Sequence, residues 1–160
     1  MRRSTSHRLL AAAAITSLII VGCTSDGASN GADGDDGGGG TVIGVTLQEW
    51  AVVPAQNSAP SGEVTFEVTN DGPEDVHEFV VLKTDLDAAS LPVDDNGVVD
   101  EEGGGIEVID EIEDIAVGDS QDLTVQLEPG SYVLLCNIWS EDEQEAHYQL
   151  GMRAGFSVDE

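Results

Sequence analysis

Residues 130–152, which read GSYVLLCNIWSEDEQEAHYQLGM, decide the fold. Pro129 and Gly130 turn the chain into a short apolar run, which predicts a β-strand ending at Cys136. Ten residues separate Cys136 from His147, and four separate His147 from Met152. A strand that ends at a cysteine and is followed by a histidine and a methionine indicates a metal site.

The rest of the domain reads as short strands separated by turns. Residues 64–69 and 123–127 alternate apolar with polar side chains, which is typical of half-buried strands. Residues 70–73 (Asn-Asp-Gly-Pro) end the first of these, and a second apolar strand begins at His77. Further strands are expected in residues 41–53, 106–115 and 152–158. The pattern predicts a single all-β domain over residues 41–160, with the architecture of a Greek-key β-sandwich.

Metal-binding residue types are scarce in this domain. Beyond residue 40 the chain has two histidines, one cysteine and one methionine, which are His77, His147, Cys136 and Met152. Each alone could be a surface or core residue, but one shared site explains all four together. Two imidazoles and a thiolate with a distant thioether suit a single copper ion. Structural zinc sites usually contain more cysteines.

These residues resemble the pattern of the cupredoxins, small blue-copper proteins such as plastocyanin and amicyanin. The resemblance covers most of residues 41–160. Its specific parts are residues 130–136, residues 147–152, and the Asn-Asp-Gly turn that precedes His77.

The resemblance also implies a role for each ligand. His77 would be a buried nitrogen ligand, Cys136 the thiolate, His147 the ligand near the surface and Met152 a weak axial ligand. The implied function is single-electron transfer by one copper ion that alternates between Cu(II) and Cu(I).

The same residues are compatible with other functions. A copper-binding or copper-handling protein without a redox role would need the same ligands, and a copper-free module with a structural role would need only the fold. An enzyme is not expected, since multicopper oxidases and copper nitrite reductases need further histidines. The chain also shows no Ser-His-Asp pattern and no phosphate-binding loop.

Two features depart from the cupredoxin pattern. The gap between Cys136 and His147 is much longer than in the family, and it carries acidic residues at positions 141, 142, 143 and 145. We expect it to fold outward and leave the site intact, although it could misplace His147 or offer a competing carboxylate. The second departure is Glu78. At the position after the first histidine, many cupredoxins have an asparagine that helps to fix the thiolate loop.

The N-terminus predicts export. Three arginines precede an apolar stretch over residues 9–22, which has the length of a signal peptide. Because this stretch ends in Gly22-Cys23, it resembles a bacterial lipobox, so residues 1–22 are expected to be a lipoprotein signal peptide and Cys23 to be lipidated. An ordinary cleaved signal is the alternative. Residues 23–40 then form a flexible, acidic, Gly-rich tether to the extracytoplasmic face of the cell membrane.

The charge of the chain limits its partners. The formal net charge is −27, with 32 acidic residues, and removal of the signal peptide leaves Lys83 and Arg153 as the only strong bases. Such a charge excludes nucleic acid as a partner. It favours basic redox proteins, and a salty habitat explains the same acidity equally well.

Overall fold

The computed structural model describes residues 40–160. The predicted signal peptide, the lipidation site Cys23 and almost all of the predicted tether lie outside these residues. Within the described range, no helix is both long enough and apolar enough to cross a membrane.

The described chain forms two β-sheets, a small hairpin and one helical turn. The elements are β1 (Thr41–Gln48), β2 (Ala51–Pro54), β3 (Ser58–Pro60), β4 (Gly62–Asn70), β5 (His77–Lys83), β6 (Glu107–Ile115), β7 (Ser120–Leu127), β8 (Gly130–Leu135), β9 (Trp139–Ser140), β10 (Glu145–Ala146), α1 (His147–Leu150) and β11 (Arg153–Asp159). The first sheet has the order β2-β1-β4-β7 and the second the order β3-β11-β8-β5-β6, while β9 pairs with β10.

The main core is made by alternate side chains of the two sheets. On β4, Val64, Phe66 and Val68 are fully buried, as their alternation with polar residues predicts. The Phe66 ring lies 5.3 Å from that of Phe79 and 5.7 Å from that of Phe156, so it joins the two sheets. Burial of each large apolar side chain contributes roughly 1.5–3 kcal/mol. This packing fixes the strand register.

A second apolar cluster covers the outer face of the second sheet. Leu82 and Val133 on that face pack with Leu91 and Val99 from the loop over residues 84–106. Tyr148 belongs to the same cluster, and its hydroxyl accepts a hydrogen bond from Leu91 N–H at 3.0 Å. The loop over residues 84–106 therefore covers the outer face of β5 and β8. Its hydrogen bond to Tyr148 also fixes the position of α1.

The strand order brings several strand ends together. Cys136 directly follows β8, and Met152 directly precedes β11. His77 is the first residue of β5. Because β8 is antiparallel to both β5 and β11, these three residues share one end of the sandwich.

The predicted all-β sandwich is confirmed. Each predicted strand is present, with ends that differ by a few residues. Two features were not predicted. β3 is a three-residue edge strand with a serine and a proline, so it carries little strand signal. The other is the hairpin of β9 and β10, which lies inside the long gap between Cys136 and His147.

Candidate metal centre

Three of the four predicted ligands meet in one buried cluster. His77, Cys136 and His147 each offer a ligand atom, and the three atoms lie within 4.8 Å of one another. The two imidazole Nδ1 atoms are 3.2 Å apart. The Cys136 Sγ lies 3.4 Å from His147 Nδ1 and 3.9 Å from His77 Nδ1. All three side chains are at most 2 % exposed.

These separations fit a single metal ion between the three atoms. Bonds of about 2.0 Å to nitrogen and about 2.3 Å to sulfur, arranged trigonally, hold nitrogen and sulfur about 3.7 Å apart. The two observed sulfur–nitrogen distances lie on either side of that value. Two nitrogens bound in the same way are about 3.5 Å apart, close to the observed 3.2 Å. A set of two imidazoles and one thiolate suits a borderline or soft ion.

Met152 lies against this cluster. Its side chain is fully buried in the main core together with Cys136. The Cys136 N–H donates to the Met152 carbonyl at 3.1 Å, and the Met152 N–H donates to the His147 carbonyl at 3.1 Å. The backbone of Met152 is therefore tied to two of the ligands. Its role as the axial ligand stays a prediction.

The long gap before His147 folds outward as a hairpin. The His147 N–H donates to the Ile138 carbonyl at 2.9 Å, so the two ends of the insertion meet. β9 and β10 pair just beyond this contact, and residues 141–144 at the tip are exposed. Among the residues that the structure describes, the ligand cluster contains no carboxylate. The outward excursion that the sequence led us to expect is what the structure has.

One helical turn sets the spacing between His147 and Met152. Gly151 directly follows α1, and its φ of 126° is accessible to glycine but strained for other residues. A Cβ atom at this position would lie 3.0 Å from the carbonyl oxygen of Trp50. The backbone of Gly151 therefore turns the chain from the histidine toward the methionine in a confined space.

Asn70 holds the turn that leads into His77. Its side chain is fully buried, and its Nδ2 donates to the carbonyls of Asp75 and Ile115, both at 2.8 Å. Its Oδ1 accepts the Gly72 N–H at 2.8 Å. The turn is thus anchored to β6, and the sequence had suggested only a turn residue here.

Glu78 contacts both Cys136 and the residue that follows it. Its backbone N–H donates to Cys136 Sγ at 3.4 Å, and its carboxylate accepts the Asn137 N–H at 2.7 Å. Burial raises the pKa of Glu78 to about 7; the Asn137 N–H opposes this rise, and the negative charges of Glu101 and Glu111 add to it. The carboxylate replaces the amide as an acceptor and brings a titratable group to the site.

Glu49 and Trp50 also contact the ligands, and the sequence did not indicate either of them. Both directly follow β1, which ends at the ligand end of the sandwich. Glu49 Oε1 lies 3.5 Å from His77 Nε2. The Trp50 ring packs edge-on against the His147 ring, with centroids 5.0 Å apart. Burial raises the pKa of Glu49, but backbone N–H groups, that of Asp75 first, lower it overall.

The protonation of the ligands suits a cation. Burial lowers the pKa of His77 and of His147, so both imidazoles are neutral at neutral pH. Burial raises the pKa of the Cys136 thiol to about 12. The thiol is therefore protonated in the metal-free protein. A metal ion would have to displace this proton to bind Sγ, which would couple metal binding to proton release.

Of the three clustered side chains, His147 is the one that borders on a surface depression. It forms part of a depression of about 300 Å³ whose other lining residues are Asp75, Val76, Asp114, Ile138 and Ser140. Only 2 % of His147 is exposed, so the surface position implied by the resemblance is limited to this depression.

Comparison with known proteins identifies the fold. Auracyanin from the photosynthetic bacterium Roseiflexus castenholzii matches with a TM-score of 0.54 and 23 % identity, over 77 % of this chain and 100 % of that one. Auracyanin A, a blue copper protein from Chloroflexus aurantiacus, matches with a TM-score of 0.50 and 17 % identity, over 76 % of this chain and 100 % of that one. Reduced rusticyanin matches with a TM-score of 0.50 and 19 % identity, over 76 % of this chain and 81 % of that one. No protein-family model and no curated protein sequence matches the chain. The chain has the cupredoxin fold.

Proposed function

We propose that this protein is a single-electron carrier that binds one copper ion through His77, Cys136 and His147, with Met152 as a weak axial ligand. The buried cluster of two Nδ1 atoms and one Sγ, with separations that fit one ion, carries this proposal. Bound copper would supply one-electron chemistry by alternating between Cu(II) and Cu(I).

The surroundings of the cluster support an electron carrier. Its donors extend from strand ends and one helical turn of a packed sandwich, so they can keep their positions when the charge at the site changes. Trp50 and the core around Met152 limit the access of water. His147 lines a surface depression, and we assign electron entry and exit to it.

Negative charge surrounds this path. Repulsion from Asp75, with smaller effects of burial, Glu145 and Glu74, raises the pKa of Glu143 on the hairpin. Dense negative charge near the site should stabilise Cu(II) relative to Cu(I). It should also favour encounters with basic redox proteins, most strongly at low ionic strength.

We also propose that the carrier works at the extracytoplasmic face of a membrane, held by lipid on Cys23. The basic n-region, the apolar stretch and the Gly22-Cys23 junction support this part of the proposal. In a bacterial host that processes lipoproteins, the wild type should partition with membranes and carry acyl chains on Cys23. A Cys23→Ser variant found equally in the membrane fraction would contradict lipid anchoring.

Copper titration tests the central claim. A soluble chain that begins at residue 23 and carries Cys23→Ser should bind one copper per chain and develop an intense thiolate-to-copper absorption band. The additional change Cys136→Ser should abolish the band while leaving the far-UV spectrum unchanged. Reversible voltammetry would support a carrier, whereas rapid loss of copper to a chelator without reversible cycling would favour copper handling. A folded, colourless, copper-free protein would refute copper binding.

A further inference from the structure

A buried carboxylate faces the side of His77 that points away from the ligand cluster. Glu49 Oε1 lies 3.5 Å from His77 Nε2, and the Glu49 side chain is only 11 % exposed. The same oxygen accepts the backbone N–H groups of Asp75 at 2.8 Å and Glu74 at 3.2 Å. The carboxylate is therefore held in place by the turn that leads into His77.

Two polar atoms at this contact lack a conventional hydrogen bond. Among residues 40–160, neither His77 Nε2 nor Glu49 Oε2 has a hydrogen-bond partner, although both atoms are buried. At 3.5 Å, the Nε2–Oε1 contact is longer than an ordinary hydrogen bond. No other acceptor reaches Nε2 in the described part of the chain, so Glu49 is the group that an Nε2 proton meets.

We propose that Glu49 is a positioning residue of the metal centre, which keeps the His77 proton on Nε2 and places a negative charge behind this ligand. This inference rests on the proposed copper function. With the proton on Nε2, the lone pair of Nδ1 is free and points toward Cys136 and His147, from which Nδ1 is separated by 3.9 and 3.2 Å.

The chemical effect follows from the charge. A carboxylate behind a coordinated imidazole makes the imidazole a stronger donor, and it stabilises the more highly charged ion. Glu49 therefore favours Cu(II) over Cu(I). The loss of such an outer partner typically costs about 10-fold to 100-fold in metal affinity.

Two variants separate orientation from charge. Glu49→Gln keeps an oxygen that can accept the Nε2 proton but removes the charge, whereas Glu49→Ala removes both. Glu63→Gln is the matched control, since it removes one exposed negative charge near the start of β4, at the opposite end of the sandwich. Thermal unfolding of all variants reports whether the fold is kept.

The first measurement uses the copper-free protein. Nitrogen NMR of the imidazoles should find the His77 proton on Nε2 in the wild type and in Glu49→Gln, and a mixture of tautomers in Glu49→Ala. A wild-type proton on Nδ1 would overturn the orienting role. If Glu49→Ala does not fold, the wild type and Glu49→Gln still decide this point.

The second measurement uses the copper-loaded protein. Glu49→Gln should lose about tenfold in Cu(II) affinity relative to Cu(I), which corresponds to a rise in reduction potential of about 59 mV. Glu63→Gln should shift the potential far less. Equal shifts in the two variants would overturn the charge effect while leaving the proposed function intact. A wild type that binds no copper would instead refute the proposed function, and with it the inference about the metal.

Discussion

Replacing Glu78 by glutamine should change how the stability of the metal-free protein depends on pH. Burial holds the pKa of this carboxyl near 7 in the folded protein, against an ordinary value of 4.5. In this interval the folded state holds more protons than the unfolded state, so the free energy of unfolding falls as pH rises. The stability that the protonated Glu78 carboxyl contributes is fully present below about pH 4.5 and is lost by about pH 7. The pKa of Glu78 differs by about 2.5 between the unfolded and the folded state, which corresponds to about 3 kcal/mol in the free energy of unfolding.

Glutamine keeps an acceptor for the Asn137 N–H but cannot ionise, so Glu78→Gln should lack this loss. Urea unfolding of the copper-free proteins between about pH 4 and about pH 8 measures the effect. The variant should match the wild type at the acidic end and exceed it by up to about 3 kcal/mol at the alkaline end. The exposed control Glu63→Gln corrects for the general repulsion among the acidic residues. A difference between Glu78→Gln and the wild type that does not vary with pH would refute the assigned burial of the charge.

Three further predictions concern the frame of the site. Asn70→Ala should lower the free energy of unfolding by about 1–3 kcal/mol in urea titrations, because it leaves the Ile115 carbonyl without its donor. Gly151→Ala should weaken copper binding in a chelator competition; the control Gly155→Ala, where a Cβ meets nothing within 4 Å, should not. Reversing the four hairpin charges, residues 141, 142, 143 and 145, should raise the reduction potential, and the rise should shrink in high salt. An unchanged potential at low salt would contradict the electrostatic argument.

Much of the fold could be predicted because burial on one face leaves a local pattern. The alternation in residues 64–69 predicts β4, since each inward side chain enters the core and each outward one does not. The buried cluster could be predicted for a different reason. Histidine and cysteine are so scarce in this domain that composition singled out His77, Cys136 and His147, which the structure brings together.

The residues that surround the ligands could not be predicted in this way. Glu49 is one of 32 acidic residues, so its type carries no signal. Its role depends on β1 ending beside the start of β5, which is a property of the tertiary structure. Asn137 is similar, since its side chain forms hydrogen bonds with Val99 and Glu101, which lie on a loop far away in sequence. Such contacts depend on residues far apart in sequence, and a single sequence does not show them.

The long gap between Cys136 and His147 shows how an insertion can be accommodated between two residues of the cluster. The length of the gap along the chain does not determine where His147 lies. The position of His147 depends instead on how close the two ends of the insertion lie, and the hydrogen bond from His147 N–H to the Ile138 carbonyl, 2.9 Å long, holds them together. The residues between them pair as β9 and β10 and turn into solvent, where added length costs little conformational entropy. Because its two ends pair, this insertion places its acidic tip near the site while His77, Cys136 and His147 still form one buried cluster.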